Sequence, residues 1–247
     1  MFLLLPGLYV IFLYLFLAVL PALILLVYVY RQDKVEKEPV GLLIRLVFMG
    51  VVAAFLSMLL EKIGSYFLDR SSLDPSGLAY TAVMAFLVVA VVEEGTKYAL
   101  MASVTWKNPA FNYRFDGIVY SVFASLGFAA MENIIYEMGY GPGVLVGRSV
   151  LAIPGHMSFG VLFGTFYGRA KVQQAEGHHI RQVLCIVFGY ILAVFLHGLY
   201  DTCAMLGTGA STLVFGIVVV VIYLVCFLLV RRESSRDENV YYHRRFF

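Results

Sequence analysis

Seven apolar runs, each long enough to cross a bilayer as a helix, constrain this chain more than anything else in it. A hydrocarbon core about 30 Å thick takes roughly 20 residues of helix, and the candidate spans fall at 7–30, 40–61, 78–104, 115–137, 145–168, 181–203 and 210–230. The connections are short and polar, so the expected fold is all-α: a polytopic membrane protein of seven transmembrane helices with no soluble domain. Residues 1–230 form one membrane domain, and residues 231–247 a charged tail. With 61% hydrophobic and 14% charged residues, the chain lies far from the composition of soluble domains. A formal net charge of +2 is too small to suggest nucleic-acid binding.

The first apolar run has no basic residues before it, and the stretch from Phe12 to Tyr30 outlasts a signal-peptide core, so it reads as a retained span. Cys185, Cys203 and Cys226 are odd in number and lie in or beside apolar segments, which predicts free thiols. With the N-terminus outside, the cytoplasmic ends and loops hold Arg31, Lys34, Lys37, Lys107, Arg114, Arg169, Lys171, Arg181 and the arginines of the tail. The other side holds only Lys62, Arg70 and Arg148. This asymmetry predicts an outside N-terminus and a cytoplasmic C-terminus. The tail from Arg231 to Phe247 is expected to be a poorly ordered, solvated anchor whose aromatic residues touch the membrane surface.

Charged residues inside spans cost about 2.5–3.5 kcal/mol each at the bilayer centre, so they need partners or a task. Span three carries Glu93, Glu94 and Lys97 in VVEEGTK. Glu93 and Lys97 are four apart on one helical face and suit an ion pair, with Glu94 about 100° round. Span four carries Glu132 and Asn133, span five His156 followed by Gly160, Gly164 and Gly168, and span six His197 and Asp201 four apart. The glycine series reads as a packing face. Each charged group alone has a bland reading as a satisfied core residue. By helical rise, however, Glu93 and Glu94 sit near mid-membrane, and the others about 3–17 Å from the outer ends of their spans. Acids and imidazoles from four helices thus share the middle and outer half of the bilayer. Outside this set, Asp116 reads as a helix-start residue, and His178 and His179 as solvated loop histidines. Arg45 and Glu61 read as interfacial residues snorkelling from span two, and Glu36 and Glu38 as loop charges.

Such a cluster suits hydrolysis, which needs a base for water and a group to hold the oxyanion. Two chemistries fit. In one, Glu132, His156 and His197 bind a zinc ion and Glu93 or Glu94 takes the proton from water. In the other, a glutamate activates water without metal, and His197 with its partner stabilises the oxyanion. Intramembrane carboxylates and histidines also line ion or proton pathways, so a coupled transporter is the rival from another class. No internal repeat is evident, which disfavours the inverted-repeat transporters.

EExxK in span three, GFAxxEN in span four, the isolated histidine of span five and HxxxD in span six together resemble the PrsW family of intramembrane proteases. The KVEKEPV stretch after span one is similar too, so the resemblance runs nearly to Asp201. It implies a bacterial cell-membrane protease that makes the first, outer-side cut in a membrane-bound anti-sigma factor. It assigns the catalytic pair to Glu93 and Glu94 and the histidine of the last motif to His197, with Asp201 beside it and the catalytic core at about 78–203. The wider superfamily includes the type II CAAX prenyl endopeptidases, which carry a histidine where Glu132 stands and an asparagine at Asp201. Those added acids, with His156, favour a divalent metal ion, zinc above others. The partners implied are a single-span membrane substrate and the lipid bilayer. A non-catalytic relative that binds such a partner is a third reading, opposed by the full complement of acids and histidines.

Overall fold

The computed structural model describes residues 4–241, with side chains from Phe12 onward. Seven helices long and apolar enough to cross a membrane account for nearly all of them. They are α1 (Leu4–Gln32), α2 (Val40–Leu68), α3 (Leu78–Thr105), α4 (Asp116–Tyr140), α5 (Pro142–Ala175), α6 (His179–Leu206) and α7 (Gly209–Ser235). Two of them are irregular. The Met84–Ala90 stretch of α3 is a π-helix, and α5 opens with a short 3-10 turn and the segment Leu145–Val150 before resuming at Ala152. The three cysteines are free.

The α4 and α5 helices form the centre, and glycine sets their spacing. A methyl group on Gly164 would lie 2.6 Å from the Cα of Ile118, and one on Gly168 would lie 2.1 Å from the carbonyl oxygen of Arg114. On the other flank of α4, a methyl on Gly127 would come within 2.3 Å of the Val47 carbonyl of α2. Lipid offers no hydrophobic gain for pushing helices together, so this backbone-to-backbone packing supplies the dispersion energy that holds them. Most large apolar side chains of α2, α6 and α7 remain exposed, as a lipid-facing surface requires.

At the arginine-rich end the structure differs from expectation in two places. The tail is not a solvated anchor over the residues described. The α7 helix runs on to Ser235, and the next residues dock on the loop between α3 and α4. Asp237 Oδ1 accepts from the Phe115 amide at 2.8 Å, Arg114 pairs with Glu238 at 2.6 Å and with Glu233 at 3.1 Å, and Val240 donates its amide to the Asn112 carbonyl. The loop's unpaired amides attract the strand-like tail, a demand that charge counting does not register. Tyr242, Phe246 and Phe247 lie outside the described residues. Glu38 is likewise buried and not a solvated loop charge, because Tyr120 donates to its Oε2 at 2.7 Å. Glu36 stays exposed. Asp116 begins α4 as expected, and its Oδ2 accepts the Asn112 and Tyr113 amides of the preceding loop.

Candidate active site

The π-helical turn of α3 ends three residues before Glu93, and such turns recur at functional sites because they re-aim the side chains that follow. It packs against α6 where Gly198, next to His197, leaves room for the Phe86 ring; a methyl there would meet that ring at 2.5 Å. The two acids and His197 therefore face one another. His197 Nδ1 donates to Glu94 Oε1 at 2.7 Å, and His197 Nε2 lies 3.3 Å from Asp201 Oδ2 and 3.9 Å from Glu93 Oε2. The Phe159 ring stacks on the imidazole at 4.7 Å.

Across from this pair, α5 brings in His156. Its Nε2 lies 2.9 Å from Glu132 Oε2, and its Nδ1 lies 3.2 Å from Lys97 Nζ and 4.0 Å from Glu93 Oε2. An ammonium can only donate, so Nδ1 accepts and Nε2–H donates to Glu132. Arg148 holds Glu132 from the other side at 2.7 Å and also donates its Nε–H to Asn133 at 3.0 Å. Lys97 is fully buried, 2.6 Å from Glu94 and 3.6 Å from Glu93, with the Phe128 ring 4.5 Å away. The tighter ion pair is therefore with Glu94, three residues back, and not with Glu93, four back; both spacings lie on one helical face.

These groups are the wall of a cavity of about 940 Å³ between the helices. Glu93, Glu132, His156, His197 and Asp201 line it, whereas Glu94 and Lys97 stand behind them. It extends to Tyr140, Gly147, Arg148 and Met205, at the helix ends opposite the arginine-rich tail. Every sequence-predicted site residue is thus within one constellation. His178 and His179 are exposed elsewhere. Sequence reasoning missed Glu61. It was assigned to the interface, yet it lines this cavity, with its Oε1 buried and without a hydrogen-bond partner. A signal was present: Ser57, Glu61 and Gly64 share one face of α2, a small-or-polar stripe in an apolar helix.

The residues fit a divalent cation. Glu93, Glu94, His156 and His197 each offer a ligand atom within 4.8 Å of the others. Glu93 Oε2 and Glu94 Oε2 are buried and lack hydrogen-bond partners. Both imidazoles are backed by a carboxylate on the nitrogen away from Glu93, as metal-binding histidines usually are. Glu132, expected as a ligand, is outside this group and plays that backing role for His156, because Arg148 draws its carboxylate aside.

A sequence profile described as the PrsW family intramembrane metalloprotease matches residues 38–230, most of the chain. The chain belongs to the PrsW family. Its relatives include proteins named Protease PrsW from Geobacillus kaustophilus, 32% identical over 183 residues, covering 74% of this chain and 76% of the relative. The Bacillus subtilis protein of that name is 28% identical over 220 residues, 89% of this chain and 94% of the relative. That of Clostridioides difficile is 24% identical over 230 residues, 92% and 93% of the two chains. No solved structure matches significantly. The constellation of α3, α4, α5 and α6 is accordingly the candidate active site of an intramembrane protease.

Proposed function

We propose that the chain cuts a single-span membrane protein, making the first cut in a membrane-bound anti-sigma factor of a bacterial cell. The observation that carries this reading is Glu93 Oε2: buried at the cavity wall, without a hydrogen-bond partner, 3.6 Å from the Lys97 ammonium and within 4.0 Å of imidazole nitrogens from two other helices. A general base for hydrolysis needs a free oxygen beside a cavity.

Glu93 takes the proton of the attacking water and delivers it to the leaving amine. His197, held by Glu94 and Asp201, hydrogen-bonds the scissile carbonyl oxygen as negative charge develops there. Lys97 offsets the charge of Glu94, which orients the ring from outside the cavity. In the alternative, metal-assisted chemistry, His156 and His197 would turn a ring nitrogen from its present hydrogen bond and, with the Glu93–Glu94 pair, would hold a divalent ion; zinc suits a nitrogen and carboxylate donor set. When bound, the ion supplies Lewis acidity at the carbonyl and a more acidic water. The arginine-rich end supports a cytoplasmic tail and an outside N-terminus. The cavity then opens toward the outer half of the bilayer, where a cut in an anti-sigma factor would begin its release.

The purified protein in detergent should cleave a single-span model substrate. Glu93→Gln and His197→Ala should each lower the rate by about 10²–10⁴-fold, the usual worth of an acid–base group. Elemental analysis of the same samples should find one divalent ion per chain in the unsubstituted protein. Undiminished cleavage by Glu93→Gln would remove the proposal.

A further inference from the structure

One acid of the cavity, Glu61, has no ion-pair or hydrogen-bond partner among the described residues. Lys97 is committed to Glu94 and Glu93, and Arg148 to Glu132. Asp201 pairs with His197, whereas Glu61 Oε1 is buried with no hydrogen bond at all. Glu61 is also level with the reacting groups. Ser57 Oγ lies 2.6 Å from Thr96 Oγ1, and Gly64 faces Val88, so the antiparallel register of α2 and α3 sets Glu61 opposite Val91 and Val92, next to Glu93.

A carboxylate held at the catalytic level without a partner costs free energy unless something entering the cavity satisfies it. Neighbouring helices are about 8–10 Å apart, and an extended substrate advances about 3.3 Å per residue. A side chain reaching Glu61 from a segment cut beside Glu93 therefore belongs to a residue two or three positions from the scissile bond. Glu61 is seven residues from the end of α2 at Leu68, about 10 Å by helical rise. At that depth a lysine or arginine of a transmembrane substrate can lie with its stem in the apolar region and its charge toward the interface.

We infer that Glu61 is a specificity-determining residue that receives a lysine or arginine of the substrate two or three residues from the cut. The inference rests on the protease reading and names the substrate class of that same site. It makes the protein selective for spans with a basic flank near the outer surface, and indifferent or hostile to those with an acidic one.

The experiment uses full-length protein in detergent and a set of single-span peptides identical except for Lys, Gln or Glu at each position within three residues of the cut. Binding is measured on the Glu93→Gln background, and cleavage on the active protein. A charge-assisted hydrogen bond is worth enough to give about a tenfold preference or more for Lys over Gln at one position, seen in Kd and in KM. Glu61→Gln should erase that preference, and Glu61→Lys should transfer it to the Glu peptide. Should Glu61→Lys fail to fold, the Glu61→Gln comparison decides. A preference that survives Glu61→Gln, or no preference in the unsubstituted protein, overturns the inference while leaving the protease reading intact. Peptides that bind with the Lys preference but are never cut would instead overturn the protease reading and leave Glu61 as the recognising group.

Discussion

Replacing Lys97 by methionine tests the electrostatic core of the site most directly. The ammonium is buried, 2.6 Å from Glu94, 3.6 Å from Glu93 and 3.2 Å from His156. Methionine fills nearly the same volume, so the loss is charge and not packing. Two carboxylates within one α-helical turn then face each other with no cation between them, and breaking a buried pair in this way costs about 3–5 kcal/mol. For a chain of this size each kcal/mol moves the melting temperature by roughly 2–4 °C, so Lys97→Met should unfold on the order of 10 °C lower. The double variant Glu94→Gln/Lys97→Met removes the orphaned charge as well, and should recover on the order of 2 kcal/mol of the loss. Thermal unfolding in a single detergent, followed by intrinsic fluorescence, reads all three proteins. If Lys97→Met melts within about 2 °C of the unsubstituted chain, or the double variant is no better than the single one, the ion pair does not hold the site together.

Other consequences are open to the same measurements. Burial pushes the Glu38 carboxyl up to about 7, against the pull of the Tyr120 hydroxyl, and burial likewise raises Asp33 and Asp237 to about 6. Acids raised in the folded state favour folding below their unfolded values near 4 and lose that contribution as pH climbs to about 7. Stability should therefore fall from pH 4.5 to pH 7, and Glu38→Gln should flatten the slope; an unchanged slope refutes the assignment. Gly168→Ala drives a methyl to 2.1 Å from the Arg114 carbonyl, where backbone must yield, so it should cost roughly 1–3 kcal/mol in the unfolding assay. The exposed Gly139→Ala, with open space around it, serves as the control and should cost far less.

Much of this molecule is legible without coordinates. Apolar length alone dictates seven helices, since lipid leaves a backbone no other way to satisfy its amides within a single run. Helical rise then sorts the polar residues by depth, which brings Glu93, Glu94, Glu132, His156, His197 and Asp201 to one region, all six of which the structure places around a single cluster. What depth does not encode is azimuth. In a span that is apolar on every side, no amphipathic period tells which way a given acid turns, and the neighbour it meets is chosen by how glycine faces let the helices approach. Only the tertiary structure, therefore, set Glu93 toward the cavity and Glu94 behind it, turned Glu132 toward Arg148, brought Glu61 from the supposed interface to the catalytic level, and buried Glu38 beneath Tyr120. The tail is the same lesson at the surface: its charges are plain in the sequence, but the loop amides that capture Asp237 exist only once α3 and α4 have met.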